Sequence, residues 1–408
     1  MYLDEKNRIK TKLKEFMDGI SIIDAHEHLC PEKAHISMNY NFFHLLKPYI
    51  QFDLYSAGMP KKWLWRDPQN EDEVEEYWKS ISSVWKFVKH GSYAKPVLMA
   101  LKEFWGIEDI NNSNYKEIGI ILNETKQEGH YKKILLDKCK IETVLNQCGA
   151  FSFEDSYLKG CIQTMDYVNS VAIKKYVDDV EETVTIDEFV EYLKSEIKRA
   201  KEKGAVLVKF SCTYFTKAPL REKALEEFEA AKKSDQHLII PWLEAYLCDE
   251  VLKYMAELDM VAAVHTGVWD NITNKSPEFL FPVIERHPEV KFDVYHMGMP
   301  YVRECGFLGK NYHNAFLNLC WSHIVSPEML INSVEEWLDY VPTNKIFGFG
   351  GDCIANVELV WAHLEMAKDN LAEIFSRRII KEKMDIDSAK EIIKLWLYDN
   401  AVKVYKLK

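Results

Sequence analysis

The sequence lacks three features that mark well-defined protein classes. None of its nine cysteines belongs to a CxxC pair and their number is odd, so neither a disulfide framework nor a cysteine zinc site is indicated. No glycine-rich phosphate fingerprint follows the first apolar run, which argues against a dinucleotide-binding fold. No apolar stretch approaches the roughly 18 residues that a membrane span needs, so we expect no membrane partner.

Positive charge is also in deficit. The formal net charge is −12, which argues against a nucleic-acid partner and against binding to an anionic membrane surface. The N-terminal residues 1–16 are charged and have no apolar core of the kind found in a secretion signal. We therefore expect a cytoplasmic protein that acts on a small molecule, either alone or as a homo-oligomer.

What the chain does contain is a regular alternation of short apolar runs and helical patterns, which is typical of βα units around a parallel sheet. One unit is complete in the sequence: a capping box at Thr185 and Glu188, a helical pattern, Gly204 at its end and a strand at 205–210. Eight such strands favour an α/β fold of the (β/α)₈ TIM-like barrel type over an open doubly wound sheet. The predicted strands are 21–28, 141–147, 159–166, 205–210, 261–266, 292–297, 315–320 and 346–351.

A long insertion separates the first two predicted strands. Residues 30–138 far exceed a normal connection, and they contain an amphipathic helix that begins after Asn70. Because this insertion follows the first strand, we expect a helical cap over the C-terminal face of the barrel, although a peripheral helical layer is the alternative. We expect residues 1–408 to form a single domain that includes this cap.

Polar side chains stand at or near the ends of several predicted strands. In a parallel barrel these ends meet at one rim, where buried polar groups are costly unless they are paired or bound to a metal. Imidazole and carboxylate together suit Zn²⁺, Mn²⁺, Fe²⁺ or Ni²⁺, and a bound metal lowers the pKa of water toward about 7. The residues concerned are His26, His28, Lys209, His265, His296 and Asp352.

These residues resemble the amidohydrolase superfamily of metal-dependent barrels. The resemblance is closest to its amidohydrolase-2 branch, which includes decarboxylases and lactonases and lies near uronate isomerase. The segments that carry it are IIDAHEH at 22–28, VKFSCTY at 208–214, WLEAYLCDEVLKYMAELDMVAAVHTG at 242–267, YHMGMPYVRECGFLGKNYHNAFLNLCW at 295–321, FGFGGD at 347–352 and LYDNAVKVY at 397–405.

The resemblance implies the roles of the strand-end residues. It implies one divalent metal, zinc or manganese, with the ligands His26, His28, His265 and Asp352. It also implies that His296 acts near the substrate or as a further ligand. Lys209 stands where two-metal members have a carboxylated lysine that bridges two ions. In one-metal members the lysine contacts the substrate instead. The resemblance therefore leaves open whether a second metal binds.

Two positions depart from the pattern of the branch. The branch commonly has Gly-Gly-Tyr-Pro where this chain has His-Met-Gly-Met-Pro at 296–300. It commonly has threonine or serine before the last aspartate, where Gly351 stands here. The missing hydroxyl leaves the ligand set intact but makes the transfer of any particular activity doubtful.

Three further residues are candidates for substrate binding. Arg303 could hold a substrate carboxylate with two hydrogen bonds, although such an arginine is more often a surface ion-pair residue. Tyr214 and Trp321 follow predicted strands and could line a pocket, or they could be ordinary core aromatics. Glu27 lies between the two histidines, and its side chain should point to the other face of the strand.

These observations predict a metal-dependent hydrolase that uses activated water on a C–N or C–O bond of a small polar molecule. Asp352, His296 and Lys209 are the predicted catalytic residues, with Asp352 both ligating the metal and accepting the proton of the water. A nonoxidative decarboxylase or a sugar-acid isomerase would use the same site. A binding protein without catalytic activity is the remaining alternative.

Overall fold

The computed structural model describes residues 2–47, 49–147, 156–180, 184–268, 271–354 and 356–407. All strands in this part of the chain pair in parallel and form two sheets, ordered β1-β2-β3 and β4-β5-β6-β7-β8-β9. The strands are β1 (Ile22–Glu27), β2 (Ile141–Asn146), β3 (Leu158–Lys159), β4 (Cys161–Gln163), β5 (Leu207–Ser211), β6 (Val261–His265), β7 (Lys291–Tyr295), β8 (Ala315–Asn318) and β9 (Ile346–Phe347).

Helices separate most of these strands, as βα alternation requires. The first eight are α1 (Tyr2–Gly19), α2 (Glu32–Ser37), α3 (Phe43–Leu46), α4 (Ile50–Ser56), α5 (Glu71–Val88), α6 (Ala94–Trp105), α7 (Tyr115–Glu124) and α8 (His130–Lys132). The others are α9 (Ser170–Val180), α10 (Ile186–Glu202), α11 (Arg221–Ala231), α12 (Pro241–Leu258), α13 (Phe281–Arg286), α14 (Val302–Asn311), α15 (Ser322–Val325), α16 (Pro327–Trp337), α17 (Val357–Ile380), α18 (Ile386–Lys394) and α19 (Asn400–Tyr405).

The predicted α10–β5 unit is confirmed. Thr185 Oγ1 accepts a hydrogen bond from the Glu188 N–H, and the Glu188 carboxylate accepts one from the Thr185 N–H, which satisfies two amides at the start of α10. Gly204 has a left-handed φ of +98° after the helix, and β5 begins at Leu207. Local signals of this kind act within a few residues, which is why the sequence predicts them well.

Backbone contacts bring the two sheets together. Only Gly160 separates β3 from β4 along the chain. On the other side, the Ala25 N–H donates to the Phe349 carbonyl at 3.1 Å, and the Asp352 N–H donates to the His26 carbonyl at 2.9 Å. The first strand therefore lies beside the segment that follows the last strand, and His26 and Asp352 become neighbours.

One apolar cluster contains side chains from both sheets. It combines Ala25 and Leu145 of the first sheet with Leu207, Ala263 and other residues of the second. Helix α19 adds Ala401, Val404 and Tyr405 to this cluster. The inner faces of both sheets thus share a core, and the C-terminal helix packs against one end of it.

The described part of residues 32–138 contains the seven α-helices α2 to α8 and has an aromatic core of its own. Trp63 and Tyr77 are fully buried and meet with perpendicular rings at 5.5 Å, while Trp78 stacks on Tyr115 at 5.1 Å. Helix α5 begins at the cap residue Asn70, whose side chain accepts the N–H of Glu73. Helix α6 packs against α17, so the insertion rests on the long helix that follows the last strand.

Several strands end earlier than predicted, and the candidate site residues lie in the turns beyond them. His296, Trp321 and Asp352 each have a left-handed φ, of 66°, 59° and 56° respectively. A strand cannot continue through this conformation, and it is costly for residues other than glycine. Such strain is concentrated at functional sites in many proteins, because surrounding contacts must enforce it.

Among the described residues, we find no helix with both the length and the apolar character required to cross a lipid bilayer.

Candidate active site

Two histidines of β1 and its following turn converge on one carboxylate. His26 Nε2 lies 3.1 Å from Asp352 Oδ1, and His28 Nε2 lies 3.3 Å from the same oxygen. His26 and Asp352 are buried, and His28 is partly exposed. The strand periodicity explains the convergence, because residues two apart on a strand face the same side.

His296 joins this group from the turn after β7. The candidate ligand atoms of His26, His296 and Asp352 all lie within 4.8 Å of one another. His296 Nδ1 is 3.9 Å from Asp352 Oδ2. Imidazole and carboxylate are the ligand types that zinc, manganese and iron accept, although both nitrogens of His296 also have hydrogen-bond partners within the protein.

Burial keeps these imidazoles neutral. It lowers the pKa of His26 and His265 well below the ordinary value, and nearby positive charge, including that of Lys209, lowers both further. Burial also lowers the pKa of His28 and reduces that of His296 to about 3. Metal ions bind the neutral form of histidine, so this group fits a divalent metal ion both in chemistry and in protonation state.

His265 and His296 form a hydrogen-bonded pair. His296 Nε2 lies 3.0 Å from His265 Nδ1, and His296 Nδ1 lies 3.2 Å from the carbonyl oxygen of Cys320. A carbonyl oxygen can only accept, so His296 Nδ1 carries the proton and His296 Nε2 accepts from His265. In a neutral His265 ring, Nε2 then carries no proton, and its lone pair is available to bind a metal ion.

The two residues differ in their access to the cavity. His265 lines it, whereas His296 is fully buried behind it. The resemblance predicted His265 as a metal ligand and His296 as a group near the substrate or a further ligand. Both interpretations stay predictions. His265 lies next to the cavity, His296 lies behind His265, and the Cys320 carbonyl lies behind His296.

Lys209 lies at the floor of the same cavity. Its side chain is buried, and Nζ is 3.9 Å from the centre of the Tyr295 ring. Within the described residues Nζ has no hydrogen-bond partner. Burial lowers the pKa of Lys209 to about 8 despite the opposing influence of Asp352. A buried amino group of this kind can bind an anionic group of a ligand.

Two further carboxyl groups, those of Asp24 and Glu27, lie behind the histidines. Asp24 Oδ1 accepts the N–H groups of His26 and Gly351, both at 3.2 Å. Glu27 Oε2 accepts the N–H of Cys353 at 2.6 Å and that of His28 at 3.4 Å. Both carboxyl groups are fully buried, and burial raises the pKa of each. Each carboxyl group therefore accepts backbone N–H groups from both the segment 26–28 and the segment 351–353.

The cavity above the histidines has a volume of about 570 Å³. The predicted residues Tyr214 and Trp321 both line it, so their placement agrees with the prediction, and their role in binding stays a prediction. Its lining residues comprise His26, His28, Tyr49, Trp65, Gln163, Thr164, Met165, Lys209, Phe210, Ser211, Thr213, Tyr214, His265, Asn271, Asn274, Lys275, Trp321, Asp352 and Ile354.

Several of these lining residues carried no usable signal in the sequence. Tyr49 and Trp65 come from the insertion, where the tryptophan-rich stretch reads as the insertion's own core. Lys275 and Asn274 come from the long turn after β6. Only their position in the connection that follows a barrel strand, the usual location of functional residues, could have pointed to them.

The structure places Arg303 away from the cavity, so its placement does not support its prediction as a substrate-binding residue. It lies on α14 with its side chain 73% exposed, and it does not line the cavity. Its guanidinium makes two hydrogen bonds, of 3.0 and 2.9 Å, to the carboxylate of Glu336 on α16. The arginine therefore belongs to a surface ion pair between two helices.

Replacing Arg303 with alanine is accordingly expected to leave turnover unchanged. Once a substrate is known, kcat/KM of Arg303→Ala should stay within about twofold of the parent, because exposed ion pairs contribute little. Lys275→Ala is the comparison, since it removes a cation that does line the cavity. A tenfold rise in KM for Arg303→Ala would restore the original prediction.

Comparison with solved structures shows the same fold in two crystal structures. A uronate isomerase from Thermotoga maritima aligns with a TM-score of 0.77 and 16% identity over 98% of this chain and 97% of that chain. A glucuronate isomerase from Caulobacter crescentus also aligns with a TM-score of 0.77, at 18% identity over 99% of this chain and 95% of that chain. At these identities the likeness concerns the fold.

Sequence comparison gives a curated relative and a family. Protein fluG of Emericella nidulans is 28% identical over 148 residues, which is 35% of this chain and 17% of that protein. The chain thus matches under a fifth of the length of that relative. The profile of the family described as Amidohydrolase matches residues 183–407, more than half of the chain. The chain therefore belongs to the amidohydrolase family of metal-dependent enzymes.

Proposed function

We propose that this protein is a metal-dependent hydrolase of a small organic anion. The observation that carries the proposal is the meeting of His26 and His28 on one Asp352 oxygen, at 3.1 and 3.3 Å, at the floor of a cavity. These three residues would hold the metal, and the bare nitrogen of His265 is the candidate for a further ligand. When bound, the metal would supply Lewis acidity and lower the pKa of water.

The chain's own residues would orient the reactants and move the proton. Asp352 presents Oδ1 to both histidines, while Oδ2 lies 3.9 Å from His296 Nδ1. We propose that Asp352 accepts the proton of the attacking water and returns it to the leaving group. His296 would hold His265 in one tautomer, and His265 would face the reacting carbonyl or the metal.

The charge of the cavity supports an anionic substrate. The buried Lys209 and the cavity-lining Lys275 oppose the single carboxylate of Asp352 in the lining. The protein as a whole carries a formal net charge of −12, so these two cations stand out against its average surface. A bound divalent metal would make the cavity more positive still, which favours a carboxylate or a similar group.

The insertion would close the substrate-binding side of the cavity. Tyr49 and Trp65 reach the cavity from residues 30–138, and Trp65 is 68% exposed at its rim. Met165 and Ile354 are further exposed apolar residues of the same lining. We therefore propose that residues 30–138 act as a cap and that the substrate's far end contacts this apolar rim.

Isomerisation of a sugar acid is the second candidate. It is favoured by the structural match to uronate and glucuronate isomerases over nearly the whole chain. The wall formed by Gln163, Ser211, Thr213, Asn271 and Asn274 could bind the hydroxyl groups of such a substrate. An isomerase would use the same proton-transfer groups without consuming water.

The test is a substrate screen of protein loaded with Zn²⁺ or Mn²⁺ in ¹⁸O-labelled water. N-acyl amino acids, lactones, uronates and aromatic carboxylates cover the candidate chemistries. We expect a product carboxylate that contains one ¹⁸O atom from solvent, as hydrolysis of an amide or lactone requires. An isomer formed without such incorporation would establish the second candidate, and release of CO₂ would establish a decarboxylase.

A further inference from the structure

The turn after β1 and the turn after β9 lie side by side, and the buried carboxyl groups of Glu27 and Asp24 connect them through hydrogen bonds. Glu27 Oε2 accepts the N–H of Cys353 at 2.6 Å and the N–H of His28 at 3.4 Å. Asp24 accepts the N–H of Gly351 and the N–H of His26. Each carboxyl group therefore binds one amide from each ligand-bearing segment.

Gly351 is a glycine because of the space that Glu27 fills. A Cβ atom at residue 351 would overlap Glu27 Oε1. The φ angle of Gly351 is outside the left-handed region, so backbone conformation does not require glycine here. The side chain of Glu27 and the bare backbone of Gly351 are thus complementary in shape, directly before Asp352.

Gly350 provides a contrast within the same turn. A Cβ atom there would lie 2.5 Å from Cys320 Cβ and 3.0 Å from His26 Cβ, with Glu27 absent from its nearest neighbours. Its φ is also outside the left-handed region. A side chain is therefore sterically excluded at both adjacent glycines, but the neighbours that exclude it differ.

We propose that Glu27 is a positioning residue that sets the distance between His28 and Asp352, and that Gly351 is its steric counterpart. The inference rests on the proposed function, since it assigns the metal to His26, His28 and Asp352. Metal sites tolerate ligand displacements of only about 0.2 Å, so a shift of the 351–353 segment is expected to weaken binding. Glu27 acts here through the backbone and does not touch the metal or the substrate.

The experiment is a double-mutant cycle on metal affinity. The variants are Gly351→Ala, Glu27→Ala and their combination, with Gly350→Ala alone and combined with Glu27→Ala as the matched control. Zn²⁺ affinity is measured by chelator competition, and the visible spectrum of the Co²⁺-loaded protein reports the coordination geometry. The unfolding temperature of the metal-free protein reports folding separately.

Gly351→Ala is expected to lower Zn²⁺ affinity by about 10- to 100-fold, as for other residues that orient metal ligands. In the Glu27→Ala background the same change should cost less than about threefold, because its steric partner is gone. Gly350→Ala should lower Zn²⁺ affinity by the same factor in the parent and in the Glu27→Ala background. An equal loss for Gly351→Ala in both backgrounds would overturn the proposal.

Glu27→Gln supplies a second, independent criterion. Its amide oxygen can accept the Cys353 N–H, and its amide nitrogen can donate to the Asp24 carboxyl group, to which the Glu27 side chain is hydrogen-bonded, so Zn²⁺ affinity should stay within about threefold of the parent. If Glu27→Gln loses about tenfold or more in Zn²⁺ affinity, the proposal is wrong, even should Gly351→Ala fail to fold. Loss of the proposed function itself is distinguishable, because His26→Ala would then retain full metal affinity.

Discussion

Asp352→Asn and His26→Ala are each expected to purify without stoichiometric metal and to lose turnover. Asn keeps the size of Asp352 but removes the negative charge on which both histidines converge, and the alanine variant removes an imidazole that is fully buried. Residues that merely orient ligands contribute roughly 10- to 100-fold to affinity or activity. Loss of a ligand should exceed about 100-fold in both quantities.

Elemental analysis of the purified variants measures the metal, and kcat/KM with the substrate found in the screen measures activity. His90→Ala is the control, because His90 is an exposed histidine outside the cavity lining. The metal-free proteins should share one unfolding midpoint within a few degrees. Full metal content and full turnover in either ligand variant would remove the basis of the proposed function.

Gly267→Ala is expected to be among the most destabilising single changes in this protein. Gly267 has a φ of +58°, and a Cβ atom there would overlap the Met299 carbonyl oxygen and lie 2.5 Å from the Gly298 carbonyl carbon. Both obstacles are backbone atoms, and they belong to the turn that carries His296. We expect a loss of at least about 4 kcal/mol in the free energy of unfolding, the range that marks severe structural conflict.

Gly204→Ala separates the two causes of this loss. Gly204 also has a left-handed φ, of +98°, but beyond its immediate chain neighbours no heavy atom lies within 4 Å of a Cβ built there. Only the conformational cost then applies, about 1–2 kcal/mol. Denaturant unfolding of both variants at one temperature measures the difference, and equal losses would show that the Gly267–Met299 contact is unimportant.

The βα order and the α10–β5 unit could be predicted because their signals are local. Helix caps, the 3.6-residue period and the strand-breaking effect of glycine all act over a few residues. The exact ends of β7 and β9 could not be predicted in this way. The end of β7 depends on the left-handed backbone of His296, which long-range contacts enforce, whereas β9 already ends at Phe347.

The candidate site was predictable only in part, for the same reason. His26, His28 and Asp352 follow apolar runs, so barrel topology alone brings them to one rim. Arg303 was the weaker candidate, and its partner Glu336 is unrelated to it in any local pattern. Trp65 and Lys275 were missed because an insertion and a long turn carry them into the cavity.

Glu27 shows a further limit of strand periodicity. The alternation of side chains correctly directs it away from the face shared by His26 and His28. Periodicity says nothing about what it meets there, which is the Cys353 amide and the space over Gly351. The departure from the family pattern at Gly351 thus has a structural counterpart at a residue that the sequence analysis treated as incidental.

The hydrogen bonds between β1 and the 349–353 segment have a consequence for how the protein is made. A ribosome releases His26 and His28 first, and Asp352 emerges only after nearly all of the intervening barrel has been translated. Until then the nascent chain carries two histidines beside an unpaired strand edge. Residues 349–353 must therefore have left the ribosome before the coordination pocket can be assembled.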